Sequence, residues 1–355
     1  MESWMRAGQA VTLRLRWSQR WSQETPGFPR PNRDGEEVLT MPDRARSSFF
    51  SSTRLLTCLT LLFLLPGCFT VRAVPELVVL SAPTIELPVE RAHGVFFVEA
   101  MIEGRGPYRL ILDTGAGMLT LSPKVVSEVG LAKKSYPWRL RGASGSKWGW
   151  LGTGRVAELS IGDSVRIDSF RFVEHSLPLE VDGLLGNGIF DHCAMVIDPL
   201  QQRIWLTTDE TISHPDDVPL RLSNGVPTVA LTLGDRTLRA TFDSGCSGTL
   251  DLPESDEDRL ALEPGGGIVE TYSIHGAHWL SVRRYDGSIE IGPVSIEHPF
   301  VRFGAGHPLA GLPLFRGHAL RIDLRTMTLK VGASVTIPPG VPEHPPGVPE
   351  VIPVD

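Results

Sequence analysis

Cysteine is scarce in this 355-residue chain, four in all, and none forms a CxxC pair. That excludes a disulfide-stapled scaffold and a cysteine-built zinc site. Cys58 and Cys68 share one apolar segment. Cys193 and Cys246 remain, either as buried free thiols or as a pair in an oxidising compartment. An excess of basic charge is missing as well. With 34 Lys and Arg against 41 Asp and Glu the formal charge is -7, which leaves no footprint for nucleic acid. HExxH and GxSxG are absent, so His275 and His278, three apart, read as a solvated loop pair, and no metal or cofactor is expected. Gly186-Asn187-Gly188 lacks the third glycine and the strand–helix setting of a nucleotide fingerprint. Long periodic helices are hard to find, whereas 36 glycines and 29 prolines punctuate a chain that is 41% hydrophobic and 21% charged. The composition predicts short strands joined by turns, an all-β architecture with a sizeable core.

Both ends read differently from the middle. From Met41, Arg44, Arg46 and Arg54 precede an apolar run, Leu55–Leu65, of signal-peptide length and too short to span a bilayer. The run ends in Leu65-Pro66-Gly67-Cys68, which resembles the lipobox of bacterial lipoproteins. That resemblance implies that residues 41–68 direct export and that Cys68 carries lipid, holding the protein on a membrane facing the periplasm or exterior. An ordinary signal peptide or an uncleaved anchor is the alternative. Residues 1–40 read as a mis-assigned start, with Met41 the true one, or as a short cytoplasmic leader. Residues 334–355 repeat PPGVPE and are expected to be an extended, disordered tail.

The middle contains a repeat. RGPYRLILDTGAGMLTLSP (105–123) corresponds to DRTLRATFDSGCSGTLDLP (235–253), with Asp113 and Asp243 at matching places in the two copies. A further strand candidate precedes each (95–103 and 226–233), and a short helix is expected after each (124–132 and 254–262). Downstream, VDGLLGNGIFDHCAMVIDPLQQRIWL (181–206) corresponds to LAGLPLFRGHALRIDLRTMTLKV (309–331). Pairing Gly183 with Gly311 leaves a longer interval to Asp198 in the first copy than to Asp323 in the second, a shortened second half. The two aspartates before the closing strands read as turn residues. Two similar β lobes, 76–207 and 216–333, are thus expected.

DTGAG and DSGCS, each followed by an apolar-Gly element, resemble the paired motifs of aspartic proteases. DTGA is similar to retroviral-type members, and both halves in one chain are similar to the pepsin architecture. The resemblance implies two six-stranded-type β-barrel lobes flanking a cleft. It implies an endopeptidase acting on polypeptide as a monomer, with Asp113 and Asp243 as catalytic carboxylates sharing one proton. Thr114 and Ser244 would cross-link the two loops, and Gly115 and Gly245 would permit the bend that turns N–H groups toward the acids. A flap over the substrate would come from 141–154, tipped by Trp148 and Trp150. Three residues after each acid stand Ala116 and Cys246, where pepsin-like enzymes carry a hydroxyl. Losing that donor predicts a mildly acidic to neutral optimum. Two alternatives stay open: a non-catalytic peptide-binding protein with this fold, and a homodimer using only Asp113 of each chain.

Overall fold

The computed structural model describes residues 72–178, 180–210, 214–332 and 335. Residues 1–40, the segment 41–68 expected to direct export, with Cys68, and most of the proline-rich tail fall outside the described residues. Among those described, no helix is long and apolar enough to cross a membrane.

The fold is all-β. A nine-stranded sheet is built from strands between Leu77 and Gly186, and a ten-stranded sheet from strands between Arg221 and Gly311. Tight turns make the hairpins: Glu103 and Gly104 (φ 50° and 71°) join Val95–Ile102 to Arg105–Asp113, and Gly234 (φ 59°) joins Val226–Leu233 to Arg236–Asp243. Most of VFFVEAMI is buried, because both faces of that strand are covered. Phe96, Phe170, Phe172 and Phe190 fill the core of the first half, and Phe242, Phe303 and Phe315 that of the second. Each contributes about 2 kcal/mol through removal of its ring from water.

A six-stranded sheet takes strands from both halves, in the order Val218–Pro219, Thr328–Val331, Leu320–Asp323, Ala194–Asp198, Arg203–Thr207 and Thr84–Glu86. Its centre is the antiparallel pairing Met195↔Ile322. Asp198 accepts from the N–H groups of Leu200 and Gln201, and Asp323 from that of Arg325, so both are turn-forming acids.

The first expected helix forms over Pro123–Val129. Ser122 caps it, Pro123 opens it, and Gly130 in the left-handed region (φ 77°) stops it before the predicted end. The second is instead a 3-10 turn, Glu254–Arg259, with no side-chain cap and no buried residue to hold a longer helix against the sheet.

Strand register corrects the downstream alignment. Gly183–Gly186 runs parallel to Leu110–Asp113, placing Gly186 opposite Asp113. Leu309–Gly311 runs parallel to Thr241–Asp243, placing Gly311 opposite Asp243. Gly311 therefore corresponds to Gly186, not Gly183. The close contacts agree: a Cβ on Gly186 would fall 2.8 Å from Ala116 O, and one on Gly311 2.6 Å from Cys246 O. The intervals Gly186 to Asp198 and Gly311 to Asp323 are then equal in length. The shortening of the second half disappears.

Candidate active site

Asp113 and Asp243 each end a buried strand whose next residues turn away. The Ala116 N–H donates to Asp113 Oδ1 (2.9 Å) and the Gly245 N–H to Asp243 Oδ1 (2.8 Å). Each carboxyl lies against the opposite loop, and each shifts the titration of the other. The structure thus brings together two acids that lie in separate copies of the repeat.

Their surroundings raise both pKa values above the usual carboxylate range. For Asp113 burial is the leading cause, opposed by hydrogen bonds from Asp243 and from the N–H groups of Ala116 and Gly115. For Asp243 burial again leads, followed by the charge of Asp113 and the hydrogen bond to it, and the value is driven well up. The two acids are coupled neighbours and titrate as one unit.

The loops are braced reciprocally. The Thr114 N–H donates to Ser244 Oγ (3.0 Å), and the Ser244 N–H donates to Thr114 Oγ1 (2.9 Å). Each hydroxyl then donates across to the other strand, Thr114 Oγ1 to Phe242 O (2.8 Å) and Ser244 Oγ to Leu112 O (2.7 Å). Both side chains are buried, so these four bonds face no competition from water.

Gly115 and Gly245 turn N–H groups toward the acids without positive φ, and they serve a second purpose as well. A Cβ on Gly115 would lie within 2.6–2.8 Å of the Asp243 carboxyl atoms, and one on Gly245 within 2.8–3.1 Å of those of Asp113. Each glycine vacates the space that the opposite acid occupies.

Neither residue three beyond an acid donates a side-chain hydrogen bond to it. Ala116 has no donor, and the Cys246 thiol points to Gly248 O (3.8 Å) and Asp251 Oδ2 (3.5 Å). Asp251 is held by Arg302 through two 2.6 Å bonds. Burial, with the charges of Asp251 and Asp243, pushes the Cys246 thiol well up. Cys193 and Cys246 are both free and buried.

The segment expected to form a flap is a β-hairpin, Lys133–Gly142 with Gly145–Ile161. Trp148 and Trp150 stand opposite Arg139 and Pro137, and they are 69% and 75% exposed. Trp138 and Leu140, on the other face, pack toward the core. The structure therefore turns both tryptophans to solvent, and the hairpin tip makes the cross-contacts instead. Ser144 Oγ lies 2.7 Å from Ser273 Oγ, and the Gly306 N–H donates to Ala143 O (2.7 Å). The tip met there belongs to a second hairpin, Gly267–Ser273 with Gly276–Arg284. Its Ile274 packs against the cluster of Val95, Phe97, Ile111 and Leu184, as does Ala116 of the Asp113 loop. His175 Nε2 holds the Ile274 carbonyl at 2.6 Å. Neither Ile274 nor His175 carries a motif.

Asn187 was also missed. It is fully buried and follows Gly186, and its side-chain amide donates to Thr114 O and Gly225 O, both at 3.1 Å. On the surface Glu263, Asp286 and His298 bring ligand-type atoms within 4.8 Å of one another. Arg284 already faces Glu263 there at 3.7 Å, so the group carries no metal assignment.

Residues 98–189 match the family model described as aspartyl protease. The matched segment contains Asp113, Thr114, Gly115, the first hairpin and Gly183–Gly186, and it covers well under half of the chain. It supports an aspartyl-protease relationship in the broad sense and, with it, peptidase activity in general. The second acid lies outside the protease-family segment and is joined to it by the brace and the paired carboxyls. No curated protein matches the chain.

Proposed function

We propose that this protein is an aspartic endopeptidase that hydrolyses extended polypeptide in a cleft between two lobes, with Asp113 and Asp243 as its catalytic pair. The observation that carries this reading is the reciprocal Thr114–Ser244 brace, with each carboxyl set against the glycine of the opposite loop. Two acids this close hold one proton between them. The ionised member, Asp113, takes a proton from water as its oxygen attacks the scissile carbonyl carbon. Asp243 donates a hydrogen bond to the carbonyl oxygen and stabilises the charge that develops there. Collapse of the tetrahedral species breaks the C–N bond as a proton passes to the leaving nitrogen, and the pair returns to its singly protonated state. The mechanism requires no cofactor.

One chain supplies both acids, so the reading is of a monomer. The homodimeric alternative drew on a shortened second half, and the equal intervals that follow each strand-paired glycine remove that ground. A peptide-binding role without catalysis would not need both carboxyls. Export on the signal at 41–68 and lipid attachment at Cys68 complete the proposal, placing the enzyme on the outer side of a membrane with unfolded chains as substrates.

The test is cleavage of an unfolded protein by wild type, Asp113→Asn and Asp243→Asn across pH. Either substitution should lower activity by at least about 10³-fold, the scale of loss when an essential catalytic group is removed. Wild type should give a bell-shaped profile, losing rate at low pH as Asp113 is protonated and at high pH as Asp243 ionises. Both values are raised, so the optimum should fall between mild acid and neutrality. Full activity in Asp243→Asn, or an optimum below about pH 3, under the ordinary carboxyl range, would overturn the reading.

A further inference from the structure

We infer that Arg72, together with Asn187, is a positioning residue for the carboxyl pair, so that the segment just past the export signal forms part of the active centre. The inference rests on the protease reading above and extends it to a part of the chain that no motif covers. Asn187 uses every polar group of its side chain. Its backbone N–H donates to Ala116 O (2.8 Å), its amide nitrogen to Thr114 O and Gly225 O, and its Oδ1 accepts from Arg72 Nε at 2.7 Å. Thr114 is half of the cross-brace, and Ala116 supplies the N–H that reaches Asp113 Oδ1. Gly225 belongs to the second half. One residue therefore ties the Asp113 loop on both sides of its turn and fastens it to the opposite repeat.

An amide with two donors aimed at carbonyls can rotate unless its oxygen is fixed, and Arg72 fixes it. The guanidinium is itself clamped by Asp191, through Nη1–Oδ2 (2.5 Å) and Nη2–Oδ1 (2.9 Å), and its side chain is 13% exposed. A planar fork held by a carboxylate on one edge presents Nε in a single direction, which lysine cannot reproduce. The neighbouring residue is anchored too: the Ala73 N–H donates to Gly117 O (2.9 Å), and Gly188 leaves room for Ala73 O, which a Cβ there would overlap. The second half has no equivalent, since Leu312 follows Gly311 where Asn187 follows Gly186. The two acids are thus held unequally, the Asp113 loop carrying the additional support.

The test compares full-length wild type, Arg72→Ala, Arg72→Lys and Asn187→Leu, measuring kcat, KM and the pH profile on an unfolded-protein substrate, with thermal unfolding alongside. Arg72→Ala should lower kcat about tenfold, within what a small misplacement of reacting groups costs, with KM changed less than about twofold. Its acidic limb should move to higher pH, because a loosened Ala116 N–H stabilises the Asp113 carboxylate less. Asn187→Leu should reproduce both effects, and Arg72→Lys should restore unfolding temperature but not kcat. Folded Arg72→Ala with wild-type kcat and an unmoved acidic limb would overturn the inference. If Arg72→Ala does not fold, Arg72→Lys decides, and full kcat in that variant overturns it. Cleavage that survives Asp113→Asn, or no cleavage by wild type, instead defeats the protease reading and this inference with it. That pattern is distinguishable from a failure at Arg72 alone.

Discussion

A methyl group added at Gly115 would sit 2.6 Å from the Asp243 carboxyl carbon, and one at Gly245 2.8 Å from that of Asp113. Neither backbone is in the left-handed region, so alanine could adopt the local conformation, and the cost would fall on the opposite acid. Gly115→Ala should therefore leave the first half folded while displacing Asp243, with kcat reduced about 10²-fold and unfolding temperature changed little; near-normal kcat in a folded variant would contradict this. The paired DTG and DSG motifs were legible in the sequence because they recur in matched settings. The purpose of their glycines was not, because each clash lies in the other copy of the repeat. Asn187 was equally hidden: a buried amide with partners on three segments reads in sequence as the middle of a Gly-Asn-Gly turn. Arg72 gave no signal, since its partners Asn187 and Asp191 lie at the far end of the first half.

Among the elements, strands and turns followed the sequence closely, and the first helix carried its own start and stop in Ser122, Pro123 and Gly130. The downstream alignment failed for a specific reason. DGLLG offers two glycines, Gly183 and Gly186, whereas the matching AGLPL has one, Gly311, and position within the motif pairs the wrong two. Hydrogen-bonding register decides, because the glycine that matters lies directly across from the acid. The two hairpins show the same limit. Tryptophan drew attention to 148 and 150, yet the tips are built of Ser144, Ser273 and Ile274, whose role comes from what they meet. Since Ser144 Oγ and Ser273 Oγ are 2.7 Å apart, the double variant Ser144→Cys/Ser273→Cys should form a disulfide that pins the tips together. Oxidised enzyme should lose at least about tenfold in kcat/KM toward unfolded protein if the tips must part to admit substrate, and reductant should restore it. An oxidised form with undiminished activity would show that substrate enters elsewhere.

For the molecule as a whole, the carboxyl pair sets function against stability. Asp243 has a pKa raised well above its unfolded value, chiefly by burial. A group shifted in that direction contributes stability that is complete below the unfolded pKa and is lost as pH rises through the folded one. Asp243→Asn removes this penalty, so its unfolding temperature relative to wild type should improve as pH rises above about 4, the ordinary carboxyl range, while activity is lost. A difference that does not change with pH would contradict a raised pKa at Asp243.

The six-stranded sheet has a consequence for how the chain comes to be folded. Ala194–Asp198 pairs with Arg203–Thr207 on one side, but its partner on the other, Leu320–Asp323, is made only near the end of the second half. A chain emerging from its amino end presents this fully buried strand with one edge unpaired until nearly all of the described sequence has appeared. Such an edge is a template for wrong partners, and pairings this distant in sequence form slowly. Biogenesis therefore has a vulnerable interval during which a companion that shields exposed strands would raise the yield of folded enzyme without touching its chemistry.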